Sequence, residues 1–523
     1  MPFLFNLRGL LLILLLAPLF SFPQAVFQDL TNTSIYRFID ELANLKVISI
    51  HSAVKPYSRI YIAGKLKEAS EKRDQLSKRQ QKELDFYLRD YNLELKPDLS
   101  YFKKGKGLFK KKDHFGIPLS PLAFVYKDSL FTFSIRPVWG IEYYANENGT
   151  AYHRWGGAEI FGTIGKHFGF YSNLRDNTES KFMVMPEYLT QEEGAAWKPT
   201  TNTGGDYSEM RGGITYSWNW GSVALAKDHF QWGDNYHGSN ILSGRTPSFP
   251  YFQLKMTPTK WFDFTFVTGW LVSGVVDSSR SYNLTYGTRE FYYNKFLSAC
   301  MMTFTPVKNL DLSIGNSVVS CSKNYNPAFL SPFLFHVNFS YSGDSAQKQN
   351  YGQNSQLFLN VSSRQIKHLH LFGTLFLDNI DHSDLSWKAG LHVDDLPFRN
   401  LFFTAEYTQT SPATYTDPKS TLTYASNDYI LGHYLKDDSR EIFVDLGYKP
   451  VRGLNIHVSY ENQEHANDYT NEAISAGVKY EIINNTFVFV EYMNRNAGKD
   501  MMYVPVMYRL KTNTVMAGFN IGF

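Results

Sequence analysis

From Ser129 to the carboxyl end, polar and apolar residues alternate with a period of two. LDLSIGNSV places Leu310, Leu312, Ile314 and Val318 on one side, and Asp311, Ser313 and Ser317 on the other. LNIHVSY sets Leu454, Ile456, Val458 and Tyr460 against Asn455, His457 and Ser459. LFFTAEY sets Leu401, Phe403, Ala405 and Tyr407 against Thr404 and Glu406. A strand with one face in lipid and the other toward a wet lumen needs this pattern. The chain ends in VMAGFNIGF, another such strand closing on an aromatic.

The links between strands alternate between short and long. Tight turns fall near Gly165, Gly221, Pro258, Pro306, Gln365, Pro397, Pro450 and Asn484. Three share a device of Pro, then a basic residue, then Asp or Asn: TPTKWFD, TPVKNLD and KPVRGLN. Proline presets turn backbone and ends a ladder. Longer segments rich in Asn, Asp, Ser, Gly and Tyr lie between, at about 177–208, 232–248, 273–294, 320–354, 410–437 and 494–510. Short inner turns and long outer loops are the habit of transmembrane barrels. Eight inner turns and nine outer loops predict an antiparallel transmembrane β-barrel of about 18 strands, all-β and membrane-embedded. The count holds if Ser331–Tyr341 belongs to an outer loop; otherwise it is 20. The last strand must pair with the first, so that no edge is left in lipid.

Composition agrees. Mean hydropathy is −0.31, yet aromatic residues reach 16%, with 35 Tyr and 41 Phe. Barrels use such rings as girdles at both bilayer interfaces. Arg8, the apolar run Leu10–Phe20 and Ala25 follow the order of a secretory signal peptide. The run is too short for a spanning helix, which needs about 20 apolar residues. Export permits a disulfide, but Cys300 and Cys321 fall on neighbouring strands about seven residues out of register. Two free thiols are expected. Net charge is +3, with roughly +8 over 26–112 and about −6 beyond, so the charge itself marks a boundary.

Ahead of the barrel, the period is helical. Ile35, Phe38, Ile39, Leu42 and Leu45 recur at three and four, with Thr33 or Ser34 placed to cap. Ser58 is a second cap, and Ser77 with Gln80 forms a capping box. The expected division is 1–25 signal peptide, 26–100 periplasmic helical bundle, 101–128 Lys-rich linker and 129–523 barrel. The six lysines of Tyr101–Asp113 suit lipid phosphates or an anionic polymer, or a solvated linker. Nucleic acid is a poor partner for an exported chain.

Catalytic sets are missing: there is no G-x-S-x-G, no P-loop and no placed Cys–His pair. No enzyme activity, metal or cofactor is expected. Asp378, Asp381, His382 and Asp384 sit in a short loop, but their spacing fits no EF-hand. His368 and His370 lack an evident third ligand.

Two stretches carry a family resemblance: YRFIDELANLKVI…KPYSRIYIAGKLKEA and HFQWGDNYHGSNILSGRTPSFPYFQLKMTP. With the overall layout, they resemble the capsule-assembly Wzi family. The helical part also resembles surface-layer-homology repeats. The Wzi resemblance implies an outer-membrane, non-catalytic surface lectin for capsular or other exported polysaccharide, with its bundle in the periplasm and its long loops at the cell surface. It implies polysaccharide, outer-membrane lipid and the outer-membrane assembly machinery as partners, and other outer-membrane or periplasmic proteins through the bundle. Trp232, Asp234, Asn235, Tyr236, His237 and Arg245 are the polysaccharide-contacting or loop-organising candidates. Trp232 and Tyr236 also suit a girdle, and Arg245 suits a pair with Asp234. Trp197, Tyr207, Tyr415 and Tyr424 are further candidates. A small-solute channel and an accessory subunit of a larger outer-membrane complex are the competing functions.

Overall fold

The computed structural model describes residues 25–95, 114–181, 183–195, 204–322, 325, 327–332, 352–379, 384–466, 469–497 and 511–522. The body of the signal peptide, the Lys-rich stretch, Trp197, Asp381, His382, most of 331–341 and Phe523 lie outside the described residues.

Eighteen antiparallel strands close into one barrel. In chain order, the first six are β1 (Phe131–Asn146), β2 (Gly149–Ile164), β3 (Phe168–Glu179), β4 (Gly205–Trp218), β5 (Gly221–Asp228) and β6 (Phe249–Thr259). The next six are β7 (Phe262–Val276), β8 (Tyr292–Val307), β9 (Leu310–Cys321), β10 (Gly352–Ser363), β11 (Leu369–Asn379) and β12 (Asp384–Asp394). The last six are β13 (Leu401–Thr410), β14 (Ser439–Tyr448), β15 (Leu454–His465), β16 (Tyr469–Ile483), β17 (Thr486–Ala497) and β18 (Lys511–Ile521). Each strand pairs with its sequence neighbour, and β18 returns to β1, with Val515 opposite Ala145 and Ile521 opposite Trp139. The terminal alternation is thus the closing seam.

All eight tight turns lie at one end. The expected Pro-x-Lys turns are displaced by about two residues. Pro258 and Pro306 sit at strand ends where the register shifts, and the chain reverses after them. Asn309 after Pro306, and Asn485 in the β16–β17 turn, take positive φ, as tight hairpins require. The same shift moves the cysteines: Cys300 faces Asn316 and Cys321 faces Lys295. Both are buried free thiols.

The exterior is apolar, with Ile141, Ile214, Leu446, Val458 and Val478 exposed. Exposed rings ring both ends: Phe168, Trp261 and Phe398 near the turns, Tyr143, Trp270 and Tyr492 near the loops. One sector departs from this. On β7–β9 the outward Phe264, Phe266, Cys300 and Val318 are buried. The Tyr325 hydroxyl lies 2.8 Å from Thr268 Oγ1 there, so the chain past β9 turns back along the outer wall.

The helices are α1 (Thr33–Asn44), α2 (Arg59–Glu71), α3 (Lys78–Asp90) and the single turn α4 (Asn92–Leu95). Ser58 accepts from the Tyr61 amide, and the Ser77–Gln80 capping box forms. The cap expected at Thr33 or Ser34 does not. Asn32 occupies that position without a side-chain cap: its Nδ2 donates to Asn485 Oδ1 at 2.5 Å, while its own Oδ1, the atom that would accept a helix N–H, has no partner among the described residues. The bundle shares one apolar core, including Ile39, Leu42, Ile62, Leu66, Leu84 and Tyr91. Between bundle and barrel, a short hairpin, Phe115–Gly116 with Phe124–Lys127, pairs onto β1.

Candidate functional site

The bundle is tied to the tight-turn end of the barrel by polar side chains. Arg364, just past β10, donates to Asn44 Oδ1 at 2.8 Å and pairs with Asp40 at 3.3 Å. Lys449 pairs with Glu41 at 2.9 Å, and Arg79 also pairs with Glu41. Asn44 donates to Asp394 at 2.9 Å, and Tyr87 to Glu481 at 2.9 Å. Arg59 of α2 pairs with Asp90 at 3.1 Å, and Arg136 of β1 meets the same carboxylate. These contacts span α1 to α3 and at least four turns.

Their electrostatics explain how buried acids are tolerated. Burial pushes the Asp90 carboxyl up, but Arg136 and Arg59 outweigh it and hold it below the usual range. Burial acts likewise on Glu41 and Asp29. Arg79 and Lys449 overcome it for the first, Arg211 for the second, and both end lowered. Glu83 is the exception: burial wins over Arg79 and its carboxyl is raised.

Inside the barrel, two of the long loops fold into the lumen. The first is 229–248, the second 411–438. Gln231–Trp232 pairs antiparallel with Val54–Lys55 of the bundle segment, so the first loop spans down to the helical layer. Trp232 is 0% exposed and belongs to a core that crosses the lumen, with Val54, Phe230, Tyr251, Phe358, Phe376, Tyr415, Tyr424 and Leu431. An 18-strand cylinder has room for such a filling.

The candidate residues fall as follows. Trp232 packs edge-on against Phe358 of the wall at 6.1 Å, not in a girdle. Asp234 exchanges two hydrogen bonds with Asn360 of β10: its amide donates at 2.9 Å and its carboxylate accepts at 2.8 Å. Asn235 donates to the Gly233 carbonyl at 2.8 Å, shaping the turn. The Tyr236 ring stacks on His392 at 4.2 Å, and its hydroxyl lies 3.0 Å from His370 Nδ1. Its amide donates to Glu406. His237 stacks on Phe443 at 3.8 Å. Arg245 does not pair with Asp234. It is buried, donates to the Met185 and Tyr188 carbonyls, and lies 5.2 Å from the Tyr429 ring.

So Asp234, Tyr236 and His237 meet the inner wall, Asn235 shapes the turn between them, and Arg245 clamps the 183–195 segment and the second loop. Tyr415 and Tyr424 are buried in the lumen core, and Tyr415 donates to the Asn240 carbonyl at 2.9 Å. Tyr207 donates to Glu179 at 3.0 Å. His368 faces the Asp394 carbonyl, and His370 faces Ser362 at 2.8 Å. Asp378 accepts from Gln356 at 2.8 Å.

One exposed feature escaped the sequence reading. Within the 273–294 loop, Tyr282–Leu284 and Gly287–Arg289 form a hairpin, and Tyr286 at its tip is 99% exposed. Asp277 anchors its base through Ser279 and Arg280. The alternation in SYNLTYGTR, with a glycine after its centre, is the available signal.

No protein-family model and no curated protein sequence matches the chain. Among solved structures it is similar to Wzi of Escherichia coli, described as an outer-membrane protein involved in group 1 capsule assembly and a carbohydrate-binding β-barrel. Identity is 12%, the TM-score 0.59, and the match covers 96% of this chain and 100% of that one. OccAB2 of Acinetobacter baumannii matches at 10% identity and TM-score 0.44, over 74% and 97%. OprD of Pseudomonas aeruginosa matches at 9% and 0.41, over 74% and 94%. The Wzi likeness is one of fold, and it takes in the helices as well as the 18 strands.

Proposed function

We propose that this chain is an outer-membrane surface protein that holds capsular or other exported polysaccharide without chemical change. Its helices face the periplasm and its long loops face the medium. The observation that carries this reading is the filled lumen. An apolar core from Val54 to Leu431 crosses the barrel, and the bundle is tied across the turn end. A wall whose interior is occupied by its own loops offers a surface rather than a passage. The fold likeness to a carbohydrate-binding barrel supports the same choice.

Within this reading, Trp232, Asp234, Asn235, Tyr236 and His237 anchor the 229–248 loop deep in the lumen, and Arg245 ties its far end to the 183–195 segment and the second loop. They fix the 229–248 loop to the wall and to its neighbours, and so set the shape that a glycan meets. Tyr286 and Tyr282 offer rings for stacking on the apolar faces of sugars, with Asn and Asp of the neighbouring loops supplying orienting hydrogen bonds.

The test is a glycan-binding assay on the purified full-length protein in detergent, with polysaccharide from the source cell surface. Binding is expected in the wild type, weakened by Tyr286→Ala and by Trp232→Ala or Arg245→Ala. A folded wild-type protein that binds no surface polysaccharide would sink the proposal.

A further inference from the structure

Four side chains converge in the lumen where the two plugging loops meet the wall. His237 comes from the first loop and His433 from the second. Glu441 and Glu461 come from neighbouring strands β14 and β15. His237 Nε2 lies 3.3 Å from Glu441 Oε1 and 3.7 Å from Glu461 Oε1. His433 Nε2 lies 3.4 Å from Glu441 Oε2. One donor atom each from His237, Glu441 and Glu461 falls within 4.8 Å of the others.

We infer that His237, His433, Glu441 and Glu461 form a binding site for a divalent cation of the zinc class, which fastens both loops to the barrel wall. Ligands at about 2.0–2.1 Å from a tetrahedral zinc ion stand roughly 3.3 Å apart; the His237, Glu441 and Glu461 donors lie within 4.8 Å of one another, and His433 joins them through Glu441 Oε2 at 3.4 Å. Imidazole and carboxylate together suit zinc, whereas calcium and magnesium prefer all-oxygen sets.

A second observation points the same way. His433 is 0% exposed, and neither of its ring nitrogens has a hydrogen-bond partner among the described residues. Glu441 Oε2, which it faces, has none either. Buried polar atoms without partners are costly, and a cation between them would satisfy both.

The surroundings hold the ligands in place. Phe443 stacks on the His237 ring at 3.8 Å. Tyr434 donates to Glu441 Oε1, and Gln463 Nε2 lies 3.1 Å from Glu461 Oε2. Outer groups of this kind orient metal ligands. The Glu461 and His237 side chains keep 24% and 14% exposure, which leaves a way in from the lumen. The competing arrangement puts protons on the imidazoles and no metal between them. The site stands independently of any glycan.

The test uses untagged full-length protein in detergent, stripped with EDTA and titrated with Zn²⁺ at neutral pH by calorimetry. One saturable site is expected, with a raised thermal midpoint and, on substitution by Co²⁺, the absorption of a tetrahedral complex. Glu461→Gln should weaken Zn²⁺ at least tenfold. His237→Ala/His433→Ala should abolish binding, with heat-modifiable gel migration verifying that the barrel is folded. His114→Ala, at an exposed imidazole outside the lumen, should bind as the wild type. Absence of saturable Zn²⁺ binding in the wild type, binding that survives the double substitution, or Ca²⁺ bound as tightly as Zn²⁺ would overturn the inference.

Discussion

At the scale of single residues, the lumen is governed by what each buried polar group finds. Lys388 of β12 and Glu406 of β13 are 0% and 1% exposed and paired with each other. Glu406 also accepts the Tyr236 and His237 amides, and Lys388 donates to the His237 carbonyl at 2.8 Å. Removing one partner strands a buried charge, which costs about 3–5 kcal/mol. Lys388→Met should therefore destabilise the folded barrel by about that amount, read as a lower urea midpoint of heat-modifiable migration. An unchanged midpoint would contradict this. Trp232→Ala leaves the wall intact but empties the centre of the plug, a loss of about 3–5 kcal/mol if the cavity persists. Faster protease cleavage within 229–248, with the barrel still folded, is the expected outcome.

At the scale of elements, the bundle and the turn rim form one acid-sensitive joint. Asp29, Glu41 and Asp90 have carboxyls lowered in the folded state. Their stabilisation is complete above the ordinary values of 3.8 for Asp and 4.5 for Glu, and is lost as pH falls through the lower folded values. Glu83, whose carboxyl is raised, works in the opposite direction, because its burial is eased by protonation. Bundle docking should hold from pH 8 to 5 and weaken progressively as pH falls below about 4. Protease access to α2 and α3, followed across that range, checks it. Loosening between pH 8 and 6 would contradict it. The capping box is a separate, smaller term: Ser77→Ala should cost about 1 kcal/mol.

At the scale of the whole molecule, the barrel was legible and the filling was not. Alternation, turn punctuation and parity are local signals, and they lead to 18 strands and to the β18–β1 seam. They failed only in detail. Pro258 and Pro306 mark register shifts rather than the reversals themselves, which fall about two residues later and set Cys300 opposite Asn316. The helix caps at Ser58 and Ser77 were readable for the same local reason. Asn32 was not, since its partner Asn485 lies at the far end of the chain.

The lumen depends on contacts between segments more than a hundred residues apart. Asp234 meets Asn360, Trp232 meets Val54, and His237 meets Glu441. Nothing in W-G-D-N-Y-H tells whether those side chains face solvent or a wall. The same long-range packing separates a surface for holding from a pore for passage. Single-channel recording of the full-length protein in planar bilayers tests that distinction most directly. Steady closure is expected of the wild type, with openings appearing when 229–248 is deleted. A stable open conductance in the intact protein would contradict a lumen closed by its own loops and helices.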